Sequence, residues 1–286
     1  MAISFCLPLL AGSEVVSKDI PLYKQPGVPI DMRVADLLSR MTLEEKVLQL
    51  SQYIVGLNTN VNNTGEVNTG LPDGVGSYIY FSEDATLRNA LQRKAVENTR
   101  LGIPILFGFD VIHGFRTIYP IPLAQGCSWN PELVSELSAI AARESRMSGT
   151  DWTFSPMIDV ARDGRWGRVA EGYGEDPYTN AVMGVAAVKG YQGDTRLPGK
   201  VNVAACLKHF AGYGRSEGGR DYSFTDVSRQ SLWETYLPPY EACVKAGAAT
   251  VMSAFNDISG TPATANHYLL TEVLEKFLAL SGLCGK

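Results

Sequence analysis

Residues 152–177, WTFSPMIDVARDGRWGRVAEGYGEDP, bring together more side chains able to bind or react than any other stretch of similar length. The guanidinium fork of Arg168 can donate to two neighbouring hydroxyl groups of a ligand. Trp166 could pack against the face of such a ligand or simply anchor the loop. Glycines between these residues allow backbone conformations that other residues resist. We interpret the stretch as a functional surface, and the alternative is a long loop whose charges are merely solvated.

Three carboxylates follow in the same stretch, at Glu171, Glu175 and Asp176. Asp176 precedes Pro177, a pair that is typical of a helix start because the aspartate caps free backbone N–H groups. Glu175 belongs to the same helix start. We therefore predict that none of the three is a catalytic acid.

Asp110 is a second candidate, since it comes directly after an apolar strand predicted over residues 104–109. Its carboxylate could accept hydrogen bonds from two ligand hydroxyls, or it could only cap a turn. His113 lies three residues later, but the chain has 3 histidines and shows no matching set of metal ligands. No metal site and no cofactor are predicted.

Lys208 and His209 end a strand predicted over residues 203–210. Neighbouring residues of a regular strand point to opposite faces, so both can serve one pocket only if the strand becomes irregular there. Gly212 and Gly214 make that plausible. Lys208 could instead form a Schiff base, or the two residues could be a salt-bridged lysine beside a buried histidine.

Strands and helices alternate along most of the chain. Strands are predicted over residues 75–80, 104–109, 152–160, 203–210 and 250–255. Helices are predicted over residues 84–99, from the Asn130-Pro131 and Asp176-Pro177 pairs onward, over 228–244 with a bend at Pro238-Pro239, and over 267–280. The alternation indicates an α/β fold with a parallel sheet covered by helices.

Polar residues follow several consecutive strands rather than gathering at one point, which favours a (β/α)8 TIM-type barrel over a doubly wound sheet. Five strand-helix units are recognisable, so the predicted barrel is incomplete. Before these units, a helix is predicted from Asp31, and Thr42 and Glu45 form a capping box that starts another helix. Val47 and Leu50 are predicted to continue a buried apolar stripe.

Composition excludes several classes of protein. With 45% hydrophobic and 19% charged residues the chain is an ordinary globular protein. A net charge of -5 without a basic run argues against nucleic-acid binding. The apolar run at residues 3–11 is too short to span a membrane and resembles the end of a secretory signal. We predict a signal-like tail at residues 1–17, one domain over 18–286, and a periplasmic or secreted location.

Four motifs in order resemble those of family 3 glycoside hydrolases, especially bacterial β-glucosidases and β-xylosidases. They are FGFDVIHG at residues 107–114, SPMIDVARDGRWGRVAEGYGEDP at 155–177, LKHFAGYGRSEGGRDY at 207–222 and VMSAFNDISGTPATAN at 251–266. The resemblance implies a (β/α)8 barrel that binds a terminal, non-reducing β-D-glucosyl or xylosyl residue of a small glycoside or oligosaccharide. It also implies hydrolysis of the O-glycosyl bond with retention.

The resemblance also implies roles for single residues. Asp110 resembles the carboxylate that grips sugar hydroxyls, and Arg168 the arginine of a WGR motif. Lys208 and His209 resemble the pair that holds the same ring. Phe255 lies where many members have a tyrosine, so a hydroxyl contact near the nucleophile is expected to be missing.

One departure from the family concerns catalysis. The family's nucleophile is an aspartate in a Ser-Asp pair that ends a later strand, whereas here the sequence after Leu274 reads EKFLALSGLCGK and no aspartate follows Asp257. Retaining hydrolysis needs two carboxyl groups about 5 Å apart. We therefore expect a C-terminally truncated member that carries no catalytic residue and is inactive alone. The alternative is a non-catalytic sugar-binding or interaction protein; the sequence does not indicate an oligomeric state.

Overall fold

The protein is described by a computed structural model that covers residues 20–57, 59, 61, 67–193 and 199–279, with the backbone alone of 283–285. The predicted signal-like tail at residues 1–17 lies outside these residues. None of the helices within them has the length and apolar character needed to cross a membrane.

Seven parallel strands follow one another in chain order. Four form one sheet: β1 Gln52–Val55, β2 Ser77–Tyr80, β3 Leu106–Phe109 and β4 Trp152–Thr153. Three form a second: β5 Cys206–Phe210, β6 Thr250–Ser253 and β7 Leu283–Gly285. Bridges from Trp152 to Ala204 and from Met157 to Lys208 join the two sheets.

Helices connect most of these strands, as the alternation predicted. They are α1 Ile30–Arg40, α2 Leu43–Gln49, α3 Ala85–Asn98, α4 Pro122–Gly126, α5 Pro131–Met147, α6 Pro177–Gln192, α7 Arg229–Ser231, α8 Pro238–Lys245 and α9 Tyr268–Phe277. The last of these, α9, has π-helical hydrogen bonding. A wide π-type turn, Leu232–Tyr236, leads from α7 towards α8, so the predicted bend at Pro238 is confirmed. The architecture is an open (β/α) barrel, and no strand in the described ranges joins β7 to β1.

The predicted helix starts are confirmed by their hydrogen bonds. The side chain of Asn130 accepts from the backbone N–H of Leu133 at 2.9 Å, and that of Asp176 from the N–H of Thr179 at 2.6 Å. The capping box of α2 is present in both directions between Thr42 and Glu45. Such caps fix helix ends because they satisfy N–H groups that have no partner inside the helix.

The strand predicted over residues 152–160 is regular only in β4. Beyond Thr153 the chain still runs beside β5, since Ser155 accepts from the N–H of Cys206 and Ile158 donates to the carbonyl of Lys208. Pro156 interrupts the ladder because it has no N–H to donate. The prediction of one regular strand over 152–160 is therefore wrong.

Two further features differ from the sequence prediction. No strand was predicted at β1, because polar and apolar residues alternate little there and a polar loop follows directly. The buried stripe predicted at Val47 and Leu50 is wrong, since Leu50 is 86% exposed and α1 and α2 have no buried residue. The reason is that no described element packs against that side of the two helices.

A core of apolar side chains fixes the second half of the fold. Helices α5 and α6 pack on each other and, with α8, surround Leu207 and Phe210 of β5. Gly190 of α6 approaches α5 so closely that an added Cβ would lie 2.3 Å from the carbonyl oxygen of Ser135. This packing holds β5, and with it Lys208 and His209.

Candidate functional site

An ion pair lies where the carboxyl ends of β3 and β5 meet. Nζ of Lys208 donates to Oδ2 of Asp110 at 2.6 Å, and the hydroxyl of Ser155 donates to Oδ1 at 3.4 Å. The side chain of Lys208 is 2% exposed and that of Asp110 is 47% exposed. A buried ammonium thus holds a carboxylate whose remaining lone pairs face solvent. The ion pair uses the ammonium form, which cannot attack a carbonyl, so the geometry does not favour the Schiff-base alternative.

His209 reaches the same site because β5 is irregular. The β5–β6 register shifts between Leu207 and Phe210, so the alternation of a regular strand is lost there. Nδ1 of His209 lies 2.8 Å from Oδ2 of Asp159, and the same oxygen accepts the backbone N–H of His209 at 2.9 Å. The irregular strand geometry that the sequence analysis required for Lys208 and His209 to share one site is therefore present.

Burial sets the charge state of His209. The ring is almost fully buried, and this lowers its pKa, while Asp159 offsets only part of the effect and the positive charges of Arg168 and Lys208 add to it. A neutral imidazole that donates from Nδ1 to Asp159 keeps Nε2 as an acceptor. In the described part of the chain no group hydrogen-bonds to Nε2.

Arg168 is braced by Glu171. Its Nε and one terminal nitrogen donate to the two carboxylate oxygens of Glu171 at 2.7 and 2.8 Å. Burial opposes the charge on Arg168, yet Glu171 outweighs it and the pKa of Arg168 rises above its ordinary value. Burial likewise opposes the charge on Glu171, but Arg168 lowers its pKa. Glu171 is thus an ionised brace, which is consistent with the prediction that it is not a catalytic acid.

Aromatic rings line the space between these polar groups. Phe255 is 54% exposed, and its ring centroid lies 5.4 Å from that of His209, 5.6 Å from that of Tyr213 and 5.4 Å from that of Tyr222. The guanidinium carbon of Arg168 lies 5.6 Å from the ring of Tyr213 and 6.0 Å from that of Phe255. All five residues predicted to bind ligand therefore belong to one connected cluster: Asp110, Arg168, Lys208, His209 and Phe255. We call its solvent-exposed side, at Asp110 and Phe255, the opening.

Trp166 anchors the loop. It is buried, packs edge-on against Tyr213 at 5.2 Å, and donates from Nε1 to Asp221 Oδ1 at 3.0 Å. The hydroxyl of Tyr213 donates to the same oxygen. The structure therefore favours the anchoring interpretation over contact with a ligand.

Sequence reasoning missed Asp159, Tyr213, Asp221 and Tyr222. Asp159 lies within an apolar run, where its partner cannot be recognised without the position of His209. Tyr213, Asp221 and Tyr222 belong to the motif at residues 207–222, so the signal that could have found them was their presence in that motif rather than any spacing.

Other polar residues that follow β3 and β4 contact the backbone or pair with each other at the surface. Asp163 and Arg165 form an exposed ion pair at 2.6 Å, as expected for a solvated loop. Nδ1 of His113 lies 3.0 Å from the carbonyl oxygen of Tyr119. Within the described ranges there is no group of three His, Cys, Asp or Glu that could hold a metal ion.

Comparison with known proteins shows the family of this chain. The model of the glycosyl hydrolase family 3 N-terminal domain matches residues 42–284. This chain belongs to that family. Its parallel strands and covering helices are those of the family's TIM-barrel-like domain, and the resemblance stated from the four motifs is confirmed.

Curated relatives of this family 3 chain are glycosidases. It is 38% identical over 253 residues to a periplasmic β-glucosidase of Salmonella typhimurium, covering 88% of this chain and 32% of the relative. It is 36% identical over 278 residues to a putative β-xylosidase of Formosa agariphila, covering 90% of this chain and 36% of the relative. The chain thus spans about a third of the length of these relatives.

Solved structures support the same fold. A β-glucosidase from Listeria innocua is 41% identical with a TM-score of 0.81, covering 88% of this chain and 36% of that chain. A structure of the Listeria innocua β-glucosidase in complex with glucose gives 40% identity and a TM-score of 0.81, covering 88% and 37%.

Proposed function

We propose that this family 3 chain forms the glycone-binding part of a β-glucosidase- or β-xylosidase-type active site. Its ligand is the terminal, non-reducing β-D-glucosyl or β-D-xylosyl residue of a small glycoside or oligosaccharide. The names of the bacterial relatives support the substrate class. The observation that carries the proposal is the buried Lys208 that holds the open carboxylate of Asp110 beside Arg168 and His209.

The geometry suits a ring with several hydroxyl groups. The Asp110 carboxylate has lone pairs left for hydroxyls of one ring, and charge-assisted hydrogen bonds of this kind are about twice as strong as neutral ones. The buried ammonium of Lys208 keeps that carboxylate in place. Arg168 donates hydrogen bonds to sugar hydroxyls from the N–H groups that Glu171 does not use. Nε2 of the neutral His209 ring accepts a hydrogen bond from another hydroxyl. Phe255 offers the apolar contact that the C–H face of a sugar requires.

Catalysis by the whole family 3 protein is proposed to be retaining hydrolysis, which needs two carboxyl groups about 5 Å apart. The described site holds four carboxyl groups. Asp110 and Glu171 are in ion pairs with cations, Asp159 accepts from His209, and Asp221 accepts from Trp166 and Tyr213. None of them is placed here as a nucleophile or a general acid. We infer that the 286-residue chain binds the sugar without turnover. Because these carboxylates are held by their partners, the site also supports a second candidate function, that of a sugar-binding protein that does not cut its ligand.

A periplasmic or secreted location is part of the proposal. It is supported by the periplasmic β-glucosidase among the relatives and by the apolar run at residues 3–11.

Calorimetric titration tests the proposal. We expect the chain to bind methyl β-D-glucoside or methyl β-D-xyloside, and Asp110→Ala to remove the binding because it deletes the acceptor and releases Lys208. Asp163→Ala is the matched control, since it deletes a partly exposed, ion-paired aspartate outside the opening. Failure of both sugars to bind at millimolar concentration would contradict the glycone site.

An assay with para-nitrophenyl β-D-glucoside tests the inference about turnover. We expect no release of nitrophenol above that in buffer. Release that Asp110→Ala abolishes and Asp163→Ala retains would show that the chain is active and would overturn that inference.

A further inference from the structure

An exposed tyrosine stands at the rim of the opening and has no role in the glycone site. Tyr222 is 64% exposed, and its ring meets that of Phe255 nearly edge-on, at 71°. Its centroid lies 6.3 Å from that of Tyr213. Phe255 also contacts His209, so Tyr222 lies one ring farther from the glycone residues, on the side that faces solvent.

The backbone of Tyr222 is in an unfavourable conformation. Its φ is 61°, in the left-handed region that costs free energy for a bulky residue and suits Gly or Asn. Neighbouring contacts impose this conformation, because Asp221 is held by Trp166 and Tyr213 and the N–H of Ser223 donates to the carbonyl of Arg220. The exposed ring gains little burial in return. Stability therefore does not explain a tyrosine here, and strained residues of this kind concentrate at ligand contacts.

We propose that Tyr222, together with Phe255, binds the ring attached to the anomeric oxygen of the bound sugar. The ligand chemistry is a flat apolar face, which is shared by an aryl aglycone and by the C–H face of a second sugar. A terminal sugar held by Asp110, Arg168 and His209 directs its substituent out of the opening, past Phe255 and towards Tyr222. This inference rests on the proposed function and extends it to the group that leaves.

Titration of wild type and Tyr222 variants with three ligands tests the inference. Methyl β-D-glucoside has the glycone but no second ring, phenyl β-D-glucoside adds an aryl ring, and cellobiose adds a sugar ring. In wild type we expect tighter binding of the ligands with a second ring than of the methyl glucoside. Tyr222→Asn removes the ring and suits the left-handed backbone, so the ratio of phenyl to methyl affinity should fall about fivefold.

Control variants separate the ring from the fold. Tyr222→Phe keeps the ring and should retain the ratio. Phe224→Asn removes a half-exposed ring of the same loop that is not among the ring partners of Phe255 in the described residues, and it should also retain the ratio. The melting temperature of Tyr222→Asn should equal or exceed that of wild type, because the strain is relieved. A lower melting temperature would show that the tyrosine serves the fold and would overturn the inference.

The ligands also distinguish the two sources of the flat face. Loss of affinity for phenyl glucoside alone supports an aryl aglycone, and loss for cellobiose as well supports a second sugar. Binding of methyl glucoside with an unchanged ratio in Tyr222→Asn overturns this inference and leaves the proposed function standing. Absence of methyl glucoside binding in wild type overturns both.

Discussion

Burial decides how each charged residue of the site behaves. Lys208 and His209 are buried with a carboxylate partner each, whereas the Asp163–Arg165 pair in the neighbouring loop is exposed. An exposed pair contributes little because water screens it. A buried charge must keep its partner, so Lys208 needs Asp110 before any ligand binds. Asp159 is needed for a different reason, because its hydrogen bond orients the neutral ring of His209.

The pH dependence of stability follows from His209. Its folded-state pKa lies below the usual value of 6.5, so the unfolded chain takes up a proton that the folded chain excludes. Stability from neutral His209 is complete above pH 6.5 and falls as the pH drops from there towards the folded-state pKa, by about 1.4 kcal/mol per pH unit within that window. Denaturant unfolding between pH 7.5 and about pH 5 measures it.

His209→Gln should flatten this part of the stability curve, whatever its effect at neutral pH. His267→Gln is the matched control, because that imidazole is exposed and should leave the curve unchanged. An equally steep curve in His209→Gln would assign the pH dependence to other groups.

Close contact between elements fixes the position of β5. α5 and α6 meet where Gly190 faces the carbonyl of Ser135, and α6 also packs against α8. The caps of both helices were predictable because Asn130-Pro131 and Asp176-Pro177 are local signals. The glycine contact was not, since it depends on how two helices separated in sequence cross.

Gly190→Ala tests this contact. A Cβ would lie 2.3 Å from the Ser135 carbonyl oxygen and 2.6 Å from the Cβ of Ser138, so the helices must move apart. We expect a loss of about 1–3 kcal/mol in the free energy of unfolding, measured in urea. Gly164→Ala is the control, because nothing lies within 4 Å of its added Cβ. Equal stability of the two variants would contradict the packing described for α5 and α6.

Over the residues that the structure describes, the molecule as a whole leaves strand edges and apolar helix surface uncovered. Within the described ranges β1 pairs only with β2, and β7 only with β6. The segment that precedes β1 in the sequence, α1, α2 and the C-cap of α2, exposes a set of apolar side chains: Ile30, Met32, Val34, Leu38, Leu43, Val47 and Leu50. Free edges and large apolar patches promote association between protein molecules.

We therefore expect the 286-residue chain to associate as its concentration rises, which sedimentation velocity measures. Leu50→Lys places a charge in the apolar patch and should shift association to higher concentration. Met147→Lys is the control, since Met147 is similarly exposed at the end of α5, away from the patch. A monomer at all concentrations would contradict this prediction, and equal association of the two variants would place the contact elsewhere.

Signals that are local in the sequence, or that occur in a fixed order along it, determined much of the fold and of the candidate site. Caps, alternating apolar runs and four motifs were sufficient for the helix starts, the parallel strand order, the family and the five residues around the opening. These features depend on residues close in sequence, or on the fact that parallel strands end on the same side of a sheet.

Tertiary structure alone decided which side chains are buried and what they contact. In the structure Trp166 anchors its loop, and Val47 and Leu50 are exposed. The strand is interrupted beyond Thr153, and Tyr222 lies at the rim of the opening. Burial and strain depend on contacts between residues far apart in sequence. No pattern within one segment could specify them.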